Sequence, residues 1–323
     1  MSRRLCVYLD FLEEHHKTQI SAAAERLGFV PRFFSLNQFE EAKNYLQSCE
    51  VLFAHDPQLL RAAPASLKWY HCAFAGVDPY CADPILFANP ACLLTNSSCY
   101  GVTIAEHVVM VTLMLLRQMP AYLRIAAERD WTNDLPIRSI QGSRFTLLGT
   151  GDIGTEIARR LNAMNAGRII GVSRSGKAKP DFDEIYPVSR LAEILPETDV
   201  LIAALPATSE TIGLMSREML ALLPQSAYFI NVGRGTLPDQ EALAELLRSG
   251  RLAGAALDVM VPEPLPRDHY LWDTPNLILT PHVSGNTTLA LTRNAIVDLF
   301  CRNLEHYALA RPLEGLVDRT AGY

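Results

Sequence analysis

No stretch of this 323-residue chain is both long enough and apolar enough to cross a bilayer. Its most apolar run, 108–116, lies between Glu106-His107 and Arg117, well short of the roughly 20 residues that a spanning helix needs. Basic charge is not in surplus either: 29 Lys and Arg stand against 35 Asp and Glu, a formal net charge of -6. Nucleic acid and membrane are therefore not expected as partners, since phosphate binding requires a basic footprint. An anionic substrate would need positive groups gathered locally against a repelling overall field. The seven cysteines are an odd set with no C-x-x-C pair, which argues against a disulfide framework and a zinc ribbon, and no metal site is expected. Free thiols inside apolar runs act as small hydrophobes and fit a reducing, cytoplasmic compartment. The opening MSRRLCVYLD looks like a leader, but Asp10 interrupts its apolar stretch and no small-residue cleavage site follows. A first buried strand is expected there.

What the chain does contain is alternation. Short β-rich runs and helical patterns follow one another, as in parallel sheets joined by helical crossovers. Strands are expected at 5–11, 30–36, 51–55, 67–74 and 91–95. After a long apolar helix at 103–119 they resume at 145–148, 168–173, 199–205, 227–232, 253–259 and 276–280. Further helices are expected at 14–27, 38–48, 153–165, 217–223, 240–249 and 287–308. The order fits two doubly wound parallel-sheet α/β domains, Rossmann-like or flavodoxin-like, with a cleft between them.

Gly149-Thr150-Gly151-Asp152-Ile153-Gly154 reads G-x-G-x-x-G. Alone it is a weak signal, but it follows the strand 145–148 and opens a helical pattern, the context that a dinucleotide site requires. Gly149 would allow the tight turn, Gly151 the approach of a pyrophosphate, and Gly154 the strand–helix packing. A plain strand-to-helix turn is the alternative. Nineteen residues after Gly154 stands Ser173, followed by Arg174, Ser175 and Lys177, with no acid to hold a ribose 2′-hydroxyl. Arg174 could instead bind a 2′-phosphate through its guanidinium fork, so NADP(H) is favoured and NAD(H) is possible. A solvated basic loop is the bland reading of the same residues.

Three expected strands of the second domain end in polar groups that packing does not require: Arg234 between Gly233 and Gly235, Asp258 ahead of Pro262-Glu263-Pro264, and His282 after Thr280-Pro281. Singly, each could be a turn residue, a cap or a surface histidine. Together, at the edge where ligands of open parallel sheets collect, they fit hydride transfer to a 2-keto acid. Arg234 would bind the carboxylate and polarise the carbonyl, and His282 would protonate its oxygen. Glu263 would orient His282 and favour its charged form. Asp258 would accept a hydrogen bond from the nicotinamide carboxamide.

The segments Asn231-Val-Gly-Arg-Gly-Thr, Ala256-Leu-Asp-Val, Pro262-Glu-Pro-Leu-Pro, Leu271-Trp-Asp and Leu279-Thr-Pro-His-Val-Ser-Gly resemble the D-isomer-specific 2-hydroxyacid dehydrogenases. So do Leu67-Lys-Trp, Ala75-Gly-Val-Asp, Leu94-Thr-Asn-Ser-Ser and Thr103-Ile-Ala-Glu upstream. The resemblance implies an NAD(P)-dependent enzyme with Arg234, Glu263 and His282 as its catalytic triad. It implies a substrate domain from 1–100 plus 288–323 and a coenzyme domain at 101–287. Backbone N–H groups at Ala75, Gly76 and Val77 would hold the substrate carboxylate with Arg234 and His282. Thr103, Leu205, Pro206, Val232, Gly233 and Asp258 would join the glycine turn and 173–175 around the coenzyme. The helix 103–119 would pack across a homodimer, or else be an ordinary core helix. Within the family, Val172-Ser-Arg-Ser is most like glyoxylate/hydroxypyruvate reductases. A phosphoglycerate dehydrogenase-like enzyme and a nucleotide-sensing, corepressor-like binding protein on the same fold are the alternatives.

Overall fold

A computed structural model of the chain describes residues 3–83 and 85–322. Contacts divide it into two compact units, one holding the residues up to Tyr100 together with those from Asn286 onward, the other Gly101–Gly285.

The first unit is built on five parallel strands: β1 (Arg3–Tyr8), β2 (Phe29–Phe34), β3 (Val51–Ala54), β4 (Trp69–Cys72) and β5 (Leu93–Thr95), in the order β2-β1-β3-β4-β5. Pro31 sits in β2, an edge strand, where a residue without an N–H can be accommodated. β3 and β4 are buried along their whole length, as expected of parallel strands covered on both faces. The helix Ala290–Ala308 completes this core from the far end of the chain. Its Phe300 stacks on Phe53 with ring centroids 4.1 Å apart and on Trp69 at 5.6 Å.

A closed polar chain runs through the same core. Trp69 Nε1 donates to Thr95 Oγ1 (2.8 Å), and that oxygen lies 2.6 Å from His71 Nδ1. His71 Nε2 lies 3.2 Å from Ser97 Oγ, whose hydroxyl donates to the Cys72 carbonyl at 2.9 Å. Every donor then finds an acceptor if His71 is neutral, with its proton on Nε2. Burial holds it so, lowering its pKa from 6.5 to about 3.

The second unit carries seven parallel strands: β6 (Arg144–Leu148), β7 (Arg168–Ser173), β8 (Glu184–Pro187), β9 (Val200–Ala203), β10 (Tyr228–Asn231), β11 (Gly254–Leu257) and β12 (Leu277–Leu279). Their order is β12-β11-β10-β9-β6-β7-β8. The chain winds outward from β6 through β7 to β8, then returns to the other side of β6 with β9, which puts the topological switch point between β6 and β9. Asn231, Leu257 and Leu279 stand in one row of the register, so the segments after β10, β11 and β12 leave the sheet side by side.

Three expectations are corrected. The helix expected at 103–119 is Gly101–Leu116, and a second helix, Met119–Ala127, follows it. Gln118 adopts a left-handed conformation (φ 56°) between them, and Pro120, which has no N–H to continue a helix, stands in the first turn of the second. β8 was not expected: it is a partly exposed edge strand with no apolar alternation to announce it. The strands expected at 199–205 and 253–259 end at Ala203 and Leu257, because the residues beyond them leave the ladder to build the loops described next. All seven cysteines are free thiols, and no described helix is long and apolar enough to cross a membrane.

Candidate active site

The glycine turn follows β6 at the switch point. Gly149 has φ +106°, and a Cβ on it would lie 2.8 Å from the Ala204 carbonyl oxygen. A Cβ on Gly154 would lie 2.0 Å from the Gly149 carbonyl oxygen, so helix Asp152–Ala163 can press this closely on the turn only with glycine there. A Cβ on Gly151 would meet nothing within 4 Å, and no side chain caps this helix. Open space over uncapped first-turn N–H groups is what a coenzyme pyrophosphate requires, and the residues present fit one. Ile153 lies in that first turn. The Asp152 carboxylate accepts from Gly101 N at 2.8 Å, and burial raises its pKa. Its charge therefore faces the start of helix Gly101–Leu116, two residues before Thr103.

After β7, Ser173 Oγ accepts from Gly176 N (3.2 Å) and Ser175 Oγ from Lys177 N (3.4 Å), forming a serine-braced turn with Arg174 exposed at its tip. Lys179, which no motif spacing marks, donates from Nζ to the Thr150 carbonyl at 2.5 Å and so brings a cation to the glycine turn. Beyond β9, Leu205 and Pro206 form a loop whose Pro206 carbonyl accepts from Thr211 Oγ1 at 2.6 Å. A Cβ on Gly233 would lie 2.6 Å from the Leu205 oxygen, so the loops after β9 and β10 touch. Val232, buried, bonds back to Ala203 through its N–H at 2.9 Å.

The Arg234 turn is tied by Asn231, a fully buried amide. Its Nδ2 donates to the Arg234 carbonyl (2.9 Å) and its Oδ1 accepts from Gly233 N (3.0 Å). The Arg234 guanidinium donates from Nη1 to the Gly233 carbonyl at 2.8 Å. A Cβ on Gly235 would lie 2.3 Å from the Met260 carbonyl carbon, so contact with the next loop demands that glycine. Met260 N in turn donates to Glu263 Oε1 at 2.9 Å, and Glu263 Oε2 lies 2.8 Å from His282 Nδ1. One carboxylate oxygen is thus pinned by backbone and the other faces the imidazole. Nε2, the other ring nitrogen, is hydrogen-bonded to no described residue.

Asp258 holds the loop that carries His282. Its carbonyl accepts from His282 N at 2.8 Å, its Oδ1 from Val283 N at 2.9 Å, and its Oδ2 from Ser284 N at 2.9 Å. Thr280 Oγ1 donates to Oδ1 at 2.5 Å. His282 has φ +55°, and this left-handed residue lets consecutive N–H groups converge on one acid. Burial alone would raise the Asp258 pKa, but the bonds from Ser284, Thr280 and Val283 outweigh it and hold it below the usual carboxylate value. Sequence reasoning found Asp258 but not this clamp, because nothing in the spacing shows which N–H groups meet its carboxylate. A hollow of about 490 Å³ adjoins the Glu263–His282 pair, lined mainly by Met260, Leu265, Trp272, Leu279 and Pro281.

In the first unit, the segment after β4 turns through Ala75, Gly76 and Val77 into the short helix Asp78–Cys81. Asn96 Nδ2 donates to the Ala75 carbonyl at 2.8 Å. Among the described residues, the three N–H groups of Ala75, Gly76 and Val77 donate no hydrogen bond, which suits an anion site.

Residues 109–284 match the sequence model of the NAD binding domain of D-isomer specific 2-hydroxyacid dehydrogenases. The chain belongs to that family. Its members are NAD(P)-dependent dehydrogenases and reductases, and this 2-hydroxyacid dehydrogenase is an enzyme of that kind. Glyoxylate/hydroxypyruvate reductase A of Salmonella heidelberg is 33% identical over 224 residues, 69% of this chain and 70% of that one. A D-isomer specific 2-hydroxyacid dehydrogenase from Xanthobacter autotrophicus, solved with NADPH and MES, superposes with a TM-score of 0.83 at 28% identity, covering 100% of both chains. An NADPH-dependent glyoxylate/hydroxypyruvate reductase from Sinorhizobium meliloti, solved with NADP and sulfate, gives a TM-score of 0.83 at 29% identity, covering 99% of this chain and 100% of that one. The loops carrying Arg234, Asp258, Glu263 and His282 follow the adjacent ends of β10, β11 and β12. The glycine turn follows β6, two strands further on, with β9 between.

Proposed function

We propose that this enzyme reduces a small 2-keto acid of the glyoxylate or hydroxypyruvate type to the D-2-hydroxy acid, with NADPH as the favoured coenzyme. The observation that carries the reading is the Glu263–His282 pair, held at 2.8 Å with the carboxylate anchored on the Met260 amide. When bound, the coenzyme would supply the hydride. His282 would give the proton at Nε2 to the keto oxygen, and Glu263 would stabilise the imidazolium before transfer. Arg234 would bind the substrate carboxylate and polarise the carbonyl, with further help from the N–H groups of Ala75, Gly76 and Val77. The pyrophosphate would lie over Gly151, and Arg174 with Ser175 would read the 2′-phosphate. That choice is supported by the lack of an acid at 173–177, directly at the end of β7, and by the NADPH and NADP carried by the two structural neighbours.

Two copies would pair through helices Gly101–Leu116 and Met119–Ala127. Met110, Met119 and Leu123 there are 47%, 38% and 56% exposed. Met110 and Met119 border a hollow of about 560 Å³ lined also by Leu113, Met114, Arg117, Tyr122 and Ile137, mostly apolar groups that a partner copy would cover. The proton-donor assignment is tested by His282→Ala, which should lower kcat by about 10²-fold or more. Turnover near that of the wild type would remove His282 from the role.

A further inference from the structure

The helix Gly101–Leu116 is apolar on its buried face, where Ile104, Ala105, Val108, Val111, Leu115 and Leu116 lie. His107 interrupts that pattern and is half-buried. Its Nε2 lies 3.4 Å from Thr280 Oγ1. The Thr280 hydroxyl gives its proton to Asp258 Oδ1, so toward His107 it can only accept, which fixes His107 as the Nε2–H tautomer. Burial supports this neutral state by lowering the His107 pKa, with the nearby Asp258 charge opposing. Hydrogen bonds thus converge on Asp258: His107 donates to Thr280, Thr280 donates to Asp258, and Asp258 also accepts from the N–H groups of Val283 and Ser284, which follow His282.

We propose that His107 is a positioning residue for the reaction, acting through Thr280 and Asp258 on the loop that carries His282. The inference rests on the reading of His282 as proton donor. Its physical basis is rotamer selection. Thr280 is free to place Oγ1 in more than one staggered position, and the bond from His107 selects the one that faces Asp258. Without it, Asp258 Oδ1 keeps only the Val283 amide, and the left-handed turn at His282 loses part of what holds it. Accepting from His107 also polarises the Thr280 hydroxyl, which makes it a better donor to Asp258.

The test is steady-state kinetics with NADPH and glyoxylate or hydroxypyruvate on His107→Leu, His107→Gln, Thr280→Val and the Leu/Val double variant, beside His282→Ala. His107→Leu should lower kcat by roughly tenfold, since one hydrogen bond's worth of positioning is lost, and leave both KM values within about twofold. His107→Gln, whose amide N–H can reach the same oxygen, should recover most of that loss. Thr280→Val should match His107→Leu, and the double variant should be no worse than Thr280→Val alone. A His107→Leu enzyme with wild-type kcat, losses that multiply in the double variant, or a Gln variant as impaired as Leu would each overturn the proposal. Should the Leu variant not fold, His107→Asn supplies the comparison with Gln, because its shorter amide cannot span to Thr280. If His282→Ala keeps wild-type turnover, the proton-donor reading fails. If it loses turnover while His107→Leu does not, the positioning role alone fails.

Discussion

Replacing Glu263 with Gln isolates the charge on the carboxylate, because volume and reach are unchanged. In the wild type both oxygens accept, one from Met260 N at 2.9 Å and the other from His282 Nδ1 at 2.8 Å. A glutamine offers one acceptor and one amino group. If its oxygen stays on Met260, the amino group faces His282, and Nδ1 must become an acceptor. The ring is then held neutral with its proton on Nε2, and it must break this contact to become the imidazolium that donates. If the amide flips, Met260 N–H loses its partner and the side chain loses its anchor. Either way an ionic hydrogen bond of about 1.5–3 kcal/mol is lost, which is roughly ten- to a hundredfold in kcat. The Glu263 and His282 side chains are 37% and 52% exposed, so solvent screening places the effect toward the lower end, near tenfold. The assay is kcat and KM for the keto acid and NADPH, with a thermal melt beside it. Glu263 is exposed, so the melting temperature should not move. A variant with kcat within about twofold of wild type would refute the reasoning, because the pair would then contribute nothing in the transition state.

Other consequences can be checked independently. Arg174→Leu should weaken NADPH by about tenfold or more and leave NADH within about twofold, as read by fluorescence titration; equal weakening of both would discard the 2′-phosphate assignment. His71 is neutral in the fold and is driven by burial to a pKa of about 3 from 6.5. The unfolded chain therefore takes up a proton that the native state does not, and stability is complete above pH 6.5 and lost progressively below it. Between pH 6.5 and 5 the loss is about 2 kcal/mol, visible as a falling urea midpoint that a His71→Gln variant should lack; the same slope in both proteins would contradict the buried-neutral account.

The fold was legible because parallel sheets announce themselves. Runs such as Val200–Ala203 and, within β10, Tyr228 to Ile230 are buried on both faces and read as apolar stretches. β8 escaped because an edge strand half in water has no need of that pattern. The break at Gln118 escaped because Pro120 in a first turn is compatible with a helix start as well as a helix end. Arg234, Asp258 and His282 were legible as polar groups that packing does not require at strand ends, with Glu263 in the Pro-Glu-Pro segment just beyond Asp258. What joins them was not. Asn231, Met260 and Thr280 act through a buried amide, a backbone N–H and a hydroxyl, groups that any strand end could carry. Lys179 lies on a loop whose path back to Thr150 is set by tertiary packing alone.

The central claim, that the Glu263–His282 pair and the glycine turn together make an NADPH-dependent keto acid reductase, is met most directly by one spectrophotometric panel. NADPH and NADH are each offered with glyoxylate, hydroxypyruvate, pyruvate and phenylpyruvate, and coenzyme oxidation is followed. The account predicts turnover with a small 2-keto acid and a clear preference for NADPH. Absence of oxidation above background with every pair would contradict it.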